Sequence, residues 1–388
     1  MAAHPSVPDR DLRVDFFRGA ALILIFIDHI PGNAFAKATL TNFGFSDAAE
    51  IFVLLAGYAA FLAYAKAFEQ GWGHGLAKIA RRIGDLYVAH LLVLIAGVAG
   101  LAIAARMFQN PVYFEHVNLI PFNVDPAGAI GRALILLYQP GYMNILPLYM
   151  LLLLWLPALI WLMRVDMALA LGVSAGVWAA AGLLQFNLPS YPDDYGWLFN
   201  PFAWQLLFTL GAVAAARPAG QPSVHPRSRS LFWIAVAYVL IAFVVAAPWT
   251  KLEGLSDARL VADFRTDLSK QYLSAWRLAH IMALSYIATS LVSPRADWLS
   301  RTWARLVINC GQHSLPVFCL SIILSLAGFV ILVEGGHGLI LQTAVNAGGI
   351  ALLGLTAWIL AQSKRPRRAA SAGLDGAEAS AYSPPRSQ

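Results

Sequence analysis

The feature that most constrains this chain is a series of apolar segments, each about twenty residues long and nearly free of charge. A transmembrane helix needs about 20 such residues, and ten segments qualify: 16–34, 48–67, 84–105, 145–163, 167–186, 199–216, 231–248, 272–292, 308–332 and 339–361. Hydrophobic residues make up 59% of the sequence and charged residues 12%, more apolar than a soluble domain could bury. The sequence predicts an all-α integral membrane protein with about ten transmembrane helices.

The distribution of basic residues predicts the orientation of these helices. Ten spans place both termini on one side, and most of the 27 Lys and Arg residues fall on that side. Cytoplasmic loops are enriched in Lys and Arg, so we expect both termini in the cytoplasm. The net charge of +6 then reflects topology, and no nucleic-acid partner is expected. Residues 128–138 form an apolar segment too short to span, which we expect at the interface or re-entering the membrane.

We expect a single transmembrane domain over residues 16–361. A polar cytoplasmic arm at residues 1–15 precedes it, and a disordered basic cytoplasmic tail at residues 362–388 follows it.

The chain has two cysteines, nine positions apart in one apolar segment. A disulfide between Cys310 and Cys319 is therefore implausible, and we expect two buried thiols. Motifs for metal, nucleotide or serine-hydrolase sites are not found, so no metal is predicted.

The first span carries four ionisable residues, which are costly in a bilayer and therefore candidates for function: Asp15, Arg18, Asp28 and His29. Arg18 and His29 are eleven positions apart, which returns them to nearly the same helix face about 16 Å apart. Asp15 lies three residues before Arg18 and can pair with it. Pro31 ends or bends the helix beside His29. Asp28 could orient the imidazole if the helix distorts there.

This arrangement suits acyl transfer from a thioester. An arginine at the cytoplasmic mouth can bind phosphates, and a buried neutral histidine can deprotonate a hydroxyl. The alternative is an interfacial Asp15–Arg18 ion pair and a hydrogen-bonded packing histidine. Arg81 and Arg82 form a second basic cluster, which serves topology or binds phosphate.

Further intramembrane polar residues are candidates for catalysis or substrate binding. Asp47 and Glu50 begin the second span on one face, where they could orient His29, bind sugar hydroxyls or simply cap the helix. Arg277 and His280 are three residues apart and could face one cavity. His313 lies between Gly311 and Pro316, where we expect a bent backbone; interhelical hydrogen bonds are the alternative for all three.

Five stretches resemble the OpgC family, a branch of the acyltransferase-3 superfamily of membrane acyltransferases. They are RDLRVDFFRGAALILIFIDHIPGN (10–33), FGFSDAAEIFVLLAGY (43–58), QPGYMNILPLYMLLLL (139–154), NPFAWQLLFTLG (200–211) and GQHSLPVFCLSIILS (311–325). The superfamily carries an Arg, ten residues and then a His in its first helix, here Arg18 and His29. Two departures are Ala56, where Ser is frequent, and Asn144, where Asp is expected.

The resemblance implies a multi-pass protein of the bacterial inner membrane that moves an acyl group, succinyl in this family, from cytoplasmic acyl-CoA to hydroxyls of a periplasmic glucan or other polysaccharide. The residues themselves leave both succinyl-CoA and acetyl-CoA open as the donor. No permanently bound cofactor is expected, and membrane lipid and a second copy of the chain are candidate partners. Tyr142, Asn144, Tyr191, Asp193/Asp194 and Trp197 are candidate sugar contacts, with an aromatic belt as the alternative for the rings. A transporter of polysaccharide or lipid-linked sugar with a buried proton relay is the alternative function.

Overall fold

The computed structural model describes residues 11–216, 228–246 and 268–363. Over these ranges the chain forms fourteen α-helices, named here in chain order: α1 (Leu12–Asp28), α2 (Ala48–Gln70), α3 (Trp72–Phe108), α4 (Val112–Glu115), α5 (Ile120–Val124), α6 (Pro126–Leu134), α7 (Ile145–Val165), α8 (Met167–Leu184), α9 (Pro201–Ala215), α10 (Arg229–Ala246), α11 (Ala275–Leu291), α12 (Thr302–Gln312), α13 (Ser314–Gly335) and α14 (Leu339–Ser363). The predicted all-α class is confirmed for the described part of the chain.

Seven of these helices are long and apolar enough to cross a membrane by length and composition: α2, α3, α7, α8, α10, α13 and α14. Each of the ten predicted segments coincides with a helix, the ninth with the pair α12 and α13. The helical membrane class is therefore confirmed, whereas the count of ten and the orientation stay predictions. Helix α6 has nine residues, about 14 Å, which is too short to span, as predicted for this segment. Of the predicted tail, only residues 362–363 lie within the described residues.

Helix α1 ends earlier than the sequence predicts. Its first turn is capped by Asp11, whose side chain accepts from the Arg13 backbone N–H, and its last residue is Asp28. Pro31 has no N–H to continue the hydrogen-bond ladder and disfavours helical backbone in the residue before it. Gly32 then adopts φ +77°, in the left-handed region. His29 is therefore the C-cap of α1 and not a residue of its interior.

The ninth predicted segment is interrupted at His313. This residue has φ −109° and ψ 40° and separates α12 from α13. Pro316 lies in the first turn of α13, where a missing N–H costs little. The bend expected between Gly311 and Pro316 is confirmed. Cys310 and Cys319 consequently lie on different helices with free thiols; Cys310 is buried as predicted, whereas Cys319 is half-buried.

Two helix pairs cross at backbone contact, each through a reciprocal pair of glycines. A Cβ on Gly57 of α2 would overlap the carbonyl oxygen of Phe208 in α9, and a Cβ on Gly211 of α9 would overlap that of Leu54 in α2. Gly19 and Gly311 have the same relation where α1 crosses α12. Small residues allow close packing of helices in membranes, so these glycines set the separation of the helices that carry the site.

The segment after α1 is tied to α14 by a buried amide pair. The Asn33 Nδ2 donates to Asn346 Oδ1 at 2.9 Å, and the Asn346 Nδ2 donates to Asn33 Oδ1 at 3.0 Å. The Ala34 backbone N–H donates to Gln342 Oε1 at 2.6 Å. Buried polar groups need such partners, so this contact holds the chain in place directly after His29.

Candidate active site

Arg18 and Arg82 form the basic end of the site. Arg18 is buried in α1, and its Nη2 donates to the Leu55 carbonyl at 2.5 Å. Arg82 is half-buried on α3, and a phosphate site shared by Arg18 and Arg82 stays a prediction. Arg81 is exposed on α3.

Asp15 lies deeper in the contact between α1 and α12. Its Oδ2 accepts a hydrogen bond from Gln312 Nε2 at 3.2 Å, and only 2% of the residue is exposed. The contact joins α1 to the last residue before the break at His313. Asp15 therefore has a positioning contact with α12 beside any interaction with Arg18.

His29 lies at the other end of α1 with an uncommitted ring nitrogen. Its Nδ1 is buried and has no hydrogen-bond partner among the described residues. Its ring packs against Tyr142, with the centroids 4.5 Å apart. Tyr142 adopts φ +70°, a conformation that is uncommon for a bulky side chain and is often retained at functional sites. Burial raises the pKa of the Tyr142 phenol, so the ring faces His29 as a neutral group.

Asp28 does not orient the His29 ring in this structure. Its Oδ1 accepts from the Thr39 hydroxyl at 2.5 Å, and its Oδ2 accepts from the Thr41 hydroxyl at 3.1 Å. Among the described residues no hydrogen bond joins Asp28 to His29. The two side chains leave α1 in different directions because adjacent positions are about 100° apart around a helix. Asp28 instead holds the segment that follows α1.

Four charged side chains form an ion network beside the start of α2: Asp47, Glu50, Lys270 and Arg277. Arg277 Nε donates to Glu50 Oε1 at 2.7 Å, and its Nη2 lies 2.5 Å from the same oxygen and 3.1 Å from Asp47 Oδ2. Lys270 Nζ lies 2.7 Å from Asp47 Oδ2. Glu50 is completely buried, and the Arg277 side chain is 11% exposed. Paired, hydrogen-bonded charges of this kind can remain ionised in a buried site.

The two carboxylates of the ion network are held in place by the helix cap that they form at the start of α2. Asp47 caps α2 by accepting from the Ala49 N–H, while Glu50 accepts from the Asp47 N–H, which is a capping box. The predicted capping interpretation of Asp47 is thus confirmed. Burial acts to raise the pKa of Asp47, but Lys270 and Arg277 outweigh it, and the pKa lies below its usual value. Arg277, a predicted substrate-binding residue, is paired with the two carboxylates of Asp47 and Glu50.

Lys270 is the residue that sequence reasoning missed. Its side chain is 35% exposed and lies 5.3 Å from the centroid of the Phe199 ring. The available signal was a lysine on the predicted outer side, against the bias of basic residues toward the cytoplasm. Its partner Asp47 lies more than two hundred residues away, and no local pattern reveals that contact.

Arg277 and His280 contact adjacent residues before α2, whereas the predicted shared cavity stays a prediction. Arg277 pairs with Asp47, and His280 Nδ1 lies 2.7 Å from the hydroxyl of Ser46, the residue before it. The His280 Nε2 is buried without a partner among the described residues. A Cβ on Gly44 would overlap this ring, so His280 is packed tightly beside the ion network.

His313 lies between α12 and α13 and is not part of the ion network. It is 8% exposed and forms the break between α12 and α13. Its predicted substrate contact stays a prediction. No group of three or more His, Cys, Asp or Glu suited to a metal ion occurs in the part of the chain that the structure describes.

A polar cavity of about 180 Å³, here called the outer cavity, lies among the connections between helices. Its lining includes Asn118, Gln139, Asn144, Tyr191, Asp193, Tyr195 and Trp197. Three predicted sugar contacts, Tyr191, Asp193 and Trp197, thus come together with Asn144, while Asp194 is not part of the lining. Tyr142, between Gln139 and Asn144 in the chain, contacts His29. The segment 139–144 therefore joins the outer cavity to the imidazole.

Together these features describe a helical membrane protein whose buried ionisable site lies between a basic cluster and a polar, aromatic cavity. The chain belongs to the OpgC family: the family model described as OpgC protein matches residues 10–365, nearly the whole chain. This membership suggests a membrane acyltransferase-like function. No curated protein and no solved structure matches the chain.

Proposed function

We propose that the protein is a multi-pass inner-membrane O-acyltransferase that moves a succinyl group from cytoplasmic succinyl-CoA to a hydroxyl of a periplasmic glucan. The observation that carries this proposal is His29, whose buried Nδ1 has no hydrogen-bond partner among the described residues. Leaving a buried polar atom unpaired is costly, and such atoms need an explanation. One explanation is that the unpaired nitrogen of His29 accepts a proton from a bound substrate.

In the proposed reaction, the glucan hydroxyl oxygen attacks the thioester carbonyl carbon while neutral His29 takes the hydroxyl proton. The tetrahedral intermediate collapses, the carbon–sulfur bond breaks, and an ester bond remains on the sugar. The proton on the imidazolium passes to the departing CoA sulfur. His29 returns to its neutral form, so the reaction needs no other proton donor or acceptor.

The charges around His29 support the assignment of the two substrates. Arg18 and Arg82 supply cations for the CoA phosphates at one end of α1. At the other end, Lys270 uses one donor on Asp47 and is partly exposed, and an ammonium has three donors. It can therefore bind the free carboxylate of a succinyl group. We expect Lys270→Met to lower turnover with succinyl-CoA more than turnover with acetyl-CoA.

The first test compares two histidines that each have a buried ring nitrogen without a hydrogen-bond partner among the described residues. We expect His29→Gln to abolish glucan-dependent release of CoA thiol by the purified protein, and ester formation on the glucan to disappear with it. His90→Gln is the matched control, because His90 in α3 shares this feature with the half-buried His29. Both variants must retain the melting temperature (Tm) of a folded protein. Normal transfer by His29→Gln would contradict the mechanism.

The second test concerns the donor site. A ligand that binds only the folded state stabilises it by RT ln(1 + [L]/Kd), about 2.7 kcal/mol at one hundred times Kd. We expect succinyl-CoA and free CoA to raise the Tm of the wild type, and Arg18→Ala to lose most of this rise. If millimolar CoA does not stabilise folded wild-type protein, the acyltransferase proposal fails and the transporter function is favoured.

A further inference from the structure

We propose that the outer cavity is a subsite for a single uncharged hexose unit of a polysaccharide chain. This inference rests on the proposed function only for the identity of the acceptor, because its argument comes from the cavity itself. The volume, about 180 Å³, is below the roughly 300–1,000 Å³ of pockets for drug-sized ligands. The cavity therefore suits one unit of a chain that continues into solvent.

The chemistry of the lining matches a neutral sugar. Asn118, Gln139 and Asn144 contribute amide groups that both donate and accept hydrogen bonds, as sugar hydroxyls require. Asp193 adds a carboxylate acceptor. Tyr195 is 84% exposed at the same cavity, so its aromatic face is open to the apolar C–H face of a sugar ring.

The charge at the cavity disfavours anionic sugars. Asp193 is the only charged side chain in the described lining. Arg132 lies outside the described lining, with its guanidinium 4.3 Å from the centroid of the Tyr191 ring, and the Asp125 carboxylate 3.4 Å away balances its charge. A uronic acid or a succinylated unit would bring a second negative charge close to Asp193. The lining therefore favours unsubstituted units over units that already carry succinate.

The exposed Tyr195 is presented by a braced backbone. Gln271 Nε2 donates to the Tyr195 carbonyl at 2.7 Å and to the Trp197 carbonyl at 3.0 Å. Asn187 Nδ2 donates to the same Trp197 carbonyl at 2.8 Å. A site held in its binding geometry loses less conformational entropy on binding. Gln271 also follows Lys270, so a residue next to the ion network braces two residues of the cavity wall.

The test measures sugar binding by the full-length protein without any acyl donor. Calorimetric titrations compare a neutral pentasaccharide of glucose with the same length of oligosaccharide carrying one uronic acid. We expect the neutral chain to bind more tightly. Tyr195→Ala should weaken its Kd about fivefold or more, the loss of a contact worth over 1 kcal/mol. Asp193→Asn should reduce the preference for the neutral chain, whereas Asp194→Asn, beside it but outside the lining, should bind as wild type.

The outcomes separate this inference from the proposed function. No binding of the neutral pentasaccharide, equal binding of both oligosaccharides, or wild-type binding by Tyr195→Ala would each overturn the subsite, even if succinyl transfer proceeds. Binding with the expected pattern supports the subsite even if succinyl-CoA is not a donor. A variant that loses binding counts only if its Tm equals that of Asp194→Asn.

Discussion

The ion network offers the sharpest test of the structure, through a double-mutant cycle on Arg277 and Glu50. Glu50 is fully buried and Arg277 is 11% exposed, with the Nε–Oε1 distance at 2.7 Å. Removing one partner of a buried pair leaves an uncompensated charge and costs about 3–5 kcal/mol. Replacing both partners by apolar groups of similar volume is often close to neutral. We therefore expect Arg277→Met to be far more destabilising than Arg277→Met combined with Glu50→Met.

Because of Asp47, we expect the double variant to remain less stable than wild type. It loses the contact with Arg277 Nη2 at 3.1 Å but keeps Lys270 at 2.7 Å. We therefore expect a coupling energy of at least about 3 kcal/mol between positions 50 and 277, at the upper end of the range for residues in contact. The free energy of unfolding is measured by denaturant titration in detergent micelles, followed by tryptophan fluorescence. Additive effects of the two single substitutions would refute the buried pair.

Two further predictions concern stability. The lowered pKa of Asp47 means that its ionised form stabilises the fold above the unfolded-state pKa of about 4 and that this contribution is lost as the pH falls through the lower folded-state value. The stabilisation of wild type relative to Asp47→Asn should therefore still be present at pH 5 and be lost only below about pH 4; its disappearance by pH 5 would contradict the pairing. Asn346→Ala should cost about 1–3 kcal/mol because it removes both hydrogen bonds between the Asn33 and Asn346 amides, whereas Thr343→Ala, at an exposed position of α14, should melt close to wild type.

Local features of the fold were accessible from the sequence. The apolar segments predicted the positions of the helices because the bilayer demands uninterrupted apolar length. Gly311 and Pro316 predicted the break at His313, and the capping box at Asp47 and Glu50 followed from three-residue spacing. Each of these three features is determined by residues that are close together in the sequence. The end of α1 was placed too late, because Pro31 stops a helix before its own position.

Long-range features were not accessible in this way. The contact of Lys270 with Asp47 joins residues that are far apart in the chain, and nothing near either one indicates the other. Tyr142 was a candidate sugar contact, but its left-handed backbone and its packing on His29 appear only in three dimensions. The same holds for Asp28, whose threonine partners lie in the segment after α1. The acids and bases could be named from sequence, but not how they are paired.

The reciprocal glycines have a consequence for genetics. At Gly57 the obstacle to a methyl group is the main-chain oxygen of Phe208, which no substitution at position 208 removes. Gly97 differs, because its neighbours are the side-chain atoms Met143 Cε and Leu326 Cδ1. A search for second-site suppressors should therefore recover a smaller residue at Met143 as compensation for Gly97→Ala, and should recover no single substitution in α9 that compensates Gly57→Ala. Where two helices meet at backbone atoms, a larger residue in one helix cannot be accommodated by a side-chain substitution in the other.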